Sequence, residues 1–108
     1  MMACYVGEIS EPYRRKWERQ TVSPDQSEPD VFDVITDMSY VGYRLDGCAL
    51  ECFTDCIQVD WGGWAYKATK AQMQEYNRRA HSMNRMTQEV VESLEDGRVY
   101  GVIDVELY

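Results

Sequence analysis

Apolar and polar residues change their spacing several times along the chain, and each change predicts an element. Ala3 to Ile9 reads as a short strand. All three prolines (Pro12, Pro24, Pro29) then fall in a polar, charged segment over 10–30. Within it, Ser10-Glu11-Pro12 opens a short helix with Tyr13 and Trp17 on one face and Arg14, Arg15, Lys16 and Arg19 crowding the rest. Ser27-Glu28-Pro29-Asp30 offers a second helix start, after which Val31, Phe32, Val34, Ile35 and Met38 follow helical spacing.

From Ser39 the period becomes two. Asp46-Gly47 is a two-residue hairpin signal. Closing the turn there sets Leu45 opposite Cys48, Tyr43 opposite Leu50 and Val41 opposite Cys52 on one apolar face, with Tyr40 opposite Phe53 on the other. The apolar parity then flips to Ile57, Val59 and Trp61, which predicts a bulge near Thr54-Asp55. Gly62-Gly63 signals a second hairpin, pairing Trp61 with Trp64, Val59 with Tyr66 and Ile57 with Ala68.

Thr69-Lys70-Ala71-Gln72 matches the capping box. The helix it opens carries Met73, Tyr76, Ala80, Met83, Val90, Val91 and Leu94 in one stripe, as far as Gly97. At ~1.5 Å per residue such a helix spans ~39 Å, longer than a compact domain of this size needs. It therefore either breaks near Ser82-Met83-Asn84 or protrudes against a second copy, a use that a seven-residue reading (Met73, Tyr76, Ala80, Met83, Thr87, Val90, Leu94) would suit. Val99, Gly101, Ile103, Val105 and Leu107 close the chain as a half-buried strand. The expected architecture is one α+β domain over 1–108: an antiparallel sheet of about five or six strands, a meander with two tight hairpins, packed by one long helix in the C-terminal half.

The 108 residues, 44 % hydrophobic and 28 % charged, are those of an ordinary globular domain. No apolar run is long enough to span a bilayer, and Met1 to Glu8 lacks the pattern of a secretion signal, so a cytoplasmic protein is expected. A net charge of −8 disfavours direct contact with nucleic acid or anionic lipid. Cys48, Cys52 and Cys56 recur every four residues. On a strand those neighbours would stand ~13 Å apart, too far to bridge or to share a zinc ion. Buried free thiols are expected, with Cys4 the one candidate for pairing with them. The single histidine, His81, reads as a surface residue of the long helix, and no glycine-rich phosphate loop is present. Neither a catalytic set, nor a metal site, nor a cofactor is indicated, so a non-enzymatic protein is expected.

Charge placement is the most informative feature. Over 31–69, six acids (Asp33, Asp37, Asp46, Glu51, Asp55, Asp60) face Arg44 and Lys67, a net −4. Over 70–85, Lys70, Arg78, Arg79 and Arg85 against Glu75 give +3, and over 86–108 six acids against Arg98 give −5. A helix basic first and acidic last opposes its own macrodipole, at ~0.3–1 kcal/mol per misplaced charge. Either neighbouring elements neutralise these acids, or an acidic face is kept for a basic partner.

The second answer leads to a small acidic inhibitor or adaptor that docks on a basic surface of a nucleic-acid-handling protein, partly by presenting carboxylates where phosphates would sit. Small size and acidity suit a phage or mobile-element product acting on host machinery. Its carriers would be Glu89, Glu92, Glu95 and Asp96 at the helix end, Asp104 and Glu106 on the last strand, and Glu51, Asp55 and Asp60 in the meander, with Tyr40 and Phe53 as aromatic anchors. The alternative is a homodimer that holds an anionic ligand such as a nucleotide through Arg78, Arg79 and Arg85, with Arg14 and Arg15. Monomer and homodimer both remain open.

Overall fold

The computed structural model describes residues 1–11, 31–59 and 63–106. Five strands form one antiparallel sheet: β1 (Met2–Ile9), β2 (Ile35–Gly42), β3 (Thr54–Val59), β4 (Gly63–Thr69) and β5 (Val99–Glu106), in the order β2-β1-β5-β4-β3. A single helical turn, α1 (Val31–Val34), precedes β2, and a 3-10 helix (Gly47–Cys52) lies between β2 and β3. Between β4 and β5 come α2 (Lys70–Arg79), a 3-10 turn (Ser82–Asn84) and α3 (Gln88–Glu92). No helix among the described residues is long and apolar enough to cross a membrane.

β5 is the middle strand, pairing with β1 from Met2↔Glu106 to Glu8↔Tyr100 and with β4 from Trp64↔Asp104 to Thr69↔Val99. A middle strand can be covered on both faces, and Tyr100 to Ile103 and Val105 are all buried, not half-buried as the alternation suggested. Tyr100 and Val102 join Cys4, Val6, Val41, Phe53, Met73 and Tyr76 in one core; Ile103 and Val105 join Val34, Ile35, Ile57 and Val59 in a second.

The helix expected over Val31 to Met38 stops after one turn. Ile35 starts β2 instead, paired with Ile9, and the Ser10 N–H bonds the Val34 carbonyl at 2.8 Å. Ile35 and Thr36 are β-branched and gain more from a pleated strand than from a helix. The bulge expected at Thr54-Asp55 is present, with Asp55 at φ 48° and a register shift between Thr54 and Cys56.

The Asp46-Gly47 hairpin does not form. β2 and β3 are opposite edges of the sheet, so the chain between them crosses the width of four strand spacings, about 19 Å. Asp46 caps the 3-10 helix by accepting the Cys48 N–H at 3.0 Å, and the expected pairs across residues 41–53 are absent. Asp-Gly encodes either event, because a short carboxylate that bonds its own backbone two residues on serves a turn and a cap equally. β3 and β4 do pair antiparallel, but with Val59 opposite Gly63 and Ile57 opposite Ala65, a register shifted from the expected one. Residues 60–62, including Trp61, lie outside the described residues, as does the short helix expected within 10–30.

The long helix is also corrected. Its start is the capping box that the sequence spells, the Thr69 hydroxyl accepting the Gln72 N–H (3.2 Å) and the Gln72 side chain accepting the Thr69 N–H (2.8 Å). It ends at Arg79, where Ala80 turns extended (φ −70°, ψ 148°), and α-helix resumes only at Gln88, after the 3-10 turn. The break relieves most of the conflict with the macrodipole: Arg78 and Arg79 occupy the last turn of α2 and Glu89 the first turn of α3, leaving Lys70 and Glu92 at the unfavourable ends. It also removes the paired-helix seam, since Met73, Tyr76 and Ala80 are buried in the chain's own core while Met83 is 79 % exposed.

Candidate functional site

Side chains, rather than backbone ladders, hold the strap that connects α2 to α3. Tyr76 is fully buried and stacks on Phe53 with ring centroids 5.1 Å apart. Its hydroxyl accepts the Asp46 N–H at 2.7 Å and donates to the Asn84 carbonyl at 2.7 Å. The Asn77 amide takes both backbone groups of Met86, accepting its N–H at 2.8 Å and donating to its carbonyl at 3.0 Å. The Val41 carbonyl then accepts the Thr87 N–H at 2.7 Å.

Asp46 is the node of this arrangement. One carboxylate oxygen accepts the Cys48 N–H; the other accepts the His81 N–H at 2.9 Å and meets His81 Nδ1 at 2.7 Å. The hydrogen bonds from His81, backbone first, hold the Asp46 carboxyl well below the usual carboxylate range. His81 is exposed as expected, but it sits in the strap and not on a helix. Cys48 enters through its backbone alone, so no thiol faces the imidazole through any of these bonds.

The strap and α2 enclose a groove of about 600 Å³, lined by Gln74, Asn77 and Arg78 on one side and Arg85, Met86, Gln88, Val91 and Glu92 on the other. Arg85 Nε donates to the Ala80 carbonyl at 3.1 Å, and Arg78 Nε donates to Glu75 at 2.8 Å. The bonds from Arg78 hold the Glu75 carboxyl down. Arg79 points elsewhere, to Glu51 and Glu75. Of the arginines expected to cluster, the fold therefore joins Arg78 and Arg85 and separates Arg79. Arg14 and Arg15 lie outside the described residues.

The expected acidic carriers are divided. Glu89, Glu92, Glu95 and Asp96 are all exposed along 89–96, from α3 into the turn before β5. Lys70 stands 3.9 Å from Asp96, and Arg98 is shared between Glu95 (3.5 Å) and Glu8 (2.8 Å). Glu89 has no ion pair among the described residues. Asp104 and Glu106 lie toward the far end of β5, with Asp104 roughly 17 Å along the strand from Val99. Glu51 is paired with Arg79 and Asp55 with Lys67 (3.3 Å); Asp60 is outside the described residues.

Three expected site residues change character. Phe53 is core, closed against Tyr76, and offers no surface to a partner. Tyr40 is 54 % exposed but packs edge-on against Tyr5 at 5.8 Å. Asp104 is half-buried, one oxygen accepting the Leu45 N–H at 3.3 Å and the other, enclosed, lacking a hydrogen-bond partner. Burial pushes its carboxyl up, and its charge in turn helps to raise the buried Cys4 thiol. Trp64, its partner across β4 and β5, is 44 % exposed and carries no expected role.

The four cysteines are free, and only Cys4 is buried; Cys48 and Cys56 are exposed. Among the described residues no group of three His, Cys, Asp or Glu is placed to hold a metal ion. Comparison with protein-family models, with curated proteins and with solved structures finds no match to this chain.

Proposed function

We propose that this chain is a non-enzymatic binding protein whose acidic edge, Glu89, Glu92, Glu95 and Asp96, docks on a basic surface of a nucleic-acid-handling protein. The observation that carries the reading is the concentration of these four exposed carboxylates along 89–96, where Lys70 stands near Asp96 and Arg98 near Glu95 while Glu89 and Glu92 have no ion pair among the described residues. Neutralisation inside the chain accounts for Glu51 and Asp55, and on this edge it reaches Glu95 and Asp96 but not Glu89 or Glu92. Carboxylates at such density present charge as a run of phosphates does, which favours fast association with a cationic groove. Asp104 is half-buried and Phe53 is core, so the docking surface is narrower than the sequence suggested.

The test is capture from a lysate of the native host with wild type and with the Glu92→Lys, Glu95→Lys double variant. Wild type should retain a basic nucleic-acid-binding protein that the folded double variant loses. Equal retention by both would remove the edge from the account.

A further inference from the structure

The groove between α2 on one side and the strap and α3 on the other is a second surface, of mixed charge, which meets the acidic edge at Glu92. Half of its lining, Gln74, Asn77, Arg78 and Arg85, comes from 70–85, the stretch that carries net +3 in a chain of net −8. Break and strap together create it: with the chain turned back after Ala80, Arg85 lines the same groove as Arg78 of α2. Each guanidinium keeps N–H groups in reserve. Arg85 commits its Nε to Ala80, and Arg78 commits its Nε and one terminal nitrogen to Glu75. Fixing one edge of a guanidinium in this way orients the remaining donors, the arrangement that suits a tetrahedral anion.

The rest of the lining is neither basic nor purely polar. Met86 and Val91 belong to the core, and the groove meets only the few apolar atoms that their burial leaves exposed. Gln88 donates to Glu92 at 2.9 Å, leaving the Glu92 carboxylate with acceptor capacity at the groove rim. A simple anion gains nothing from apolar contact and is repelled by Glu92. A phosphate ester with a flat body bearing N–H donors uses all three features. The volume is within the range of small-molecule sites.

We propose that this groove binds a nucleotide, its phosphate between Arg78 and Arg85 and its base over Met86 and Val91, with base N–H groups directed to Glu92. Specificity for bases that carry donors follows from the Glu92 carboxylate, which rewards an N–H and repels an unprotonated ring nitrogen.

The experiment is a melting-temperature screen of the full chain with nucleoside monophosphates, the matching nucleosides and inorganic phosphate, followed by titration calorimetry. At least one monophosphate should raise the melting temperature saturably, more than its nucleoside or phosphate alone. Arg85→Gln should weaken that binding about tenfold or more, Arg78→Gln should weaken it as well, and Glu92→Gln should change the preference among bases. A melting temperature unmoved by every monophosphate overturns the proposal. So does inorganic phosphate matching the nucleotide, or binding that survives both arginine variants unchanged.

Discussion

Removing one oxygen, in Tyr76→Phe, isolates the interaction that fixes the strap. The phenyl ring keeps its stacking on Phe53, so packing volume is nearly preserved. What is lost is the hydroxyl that accepts from the Asp46 N–H and donates to the Asn84 carbonyl, both at 2.7 Å. Each buried backbone group left without a partner costs about 1–3 kcal/mol. The Asp46 N–H is enclosed and the Asn84 carbonyl less so, giving a summed loss of about 2–4 kcal/mol. That is a large share of the ~5–15 kcal/mol typical of a domain, and about 9–18 °C in melting temperature. Urea denaturation should show the midpoint falling with its slope unchanged. The alkaline limb gives a second readout, because burial pushes the Tyr76 phenol up to about 12. Its stabilising contribution is complete below the unfolded value, about 10, and is lost as pH rises toward the folded one, so the gap between wild type and Tyr76→Phe should narrow there. A loss under about 0.5 kcal/mol would refute the claim that this hydroxyl ties the strap to the core.

Three further outcomes are expected. Asp46 is held below the usual carboxylate range, so its contribution is present above the unfolded value, about 4, and lost as pH falls below it. The stability gap between wild type and Asp46→Asn should therefore close on acidification; a gap independent of pH would contradict the His81 contacts as its cause. Asp104 is shifted the opposite way, so the stability of wild type relative to Asp104→Asn should rise as pH drops toward the unfolded value, about 4, and level off below it, in denaturation curves taken in parallel. Gly63→Ala places a Cβ 2.5 Å from the Asp104 backbone carbonyl, where no side chain can yield, and should lower stability by about 2 kcal/mol or more in the same assay.

Signals confined to a few residues were realised where nothing distant competed. Thr69 and Gln72 cap each other as their spacing specifies, and Asp55 bulges where the apolar parity flips. The failures lie where a local signal has two solutions and a distant contact chooses between them. Asp46-Gly47 could close a hairpin, but β1 takes β2 as its partner, and Tyr76 and His81 take Asp46. No proline or glycine marks the helix break at Ala80; Asp46, thirty-five residues earlier, captures the His81 N–H and Val41 captures Thr87. Two traces of the break were legible: at ~39 Å one helix over the whole stripe is longer than the domain needs, which offered a break near Ser82-Met83-Asn84, and the order of charges agrees. Basic residues followed by acidic ones oppose the dipole of one helix and suit two helices in succession. At the site, Asp104 was misplaced because its burial depends on β5 being the middle strand, a pairing between chain ends that periodicity does not encode, and Phe53 because the expected hairpin gave way to a path that closes it against Tyr76 and Tyr66.

The central claim is that an acidic edge recognises a cationic surface, and its most direct measurement is the affinity of wild type for its purified partner as salt is raised, with and without competing nucleic acid. Docking through this edge requires affinity that falls steeply with salt and a partner surface that nucleic acid and this chain cannot occupy together. Affinity indifferent to salt, or a partner that holds both at once, would contradict it.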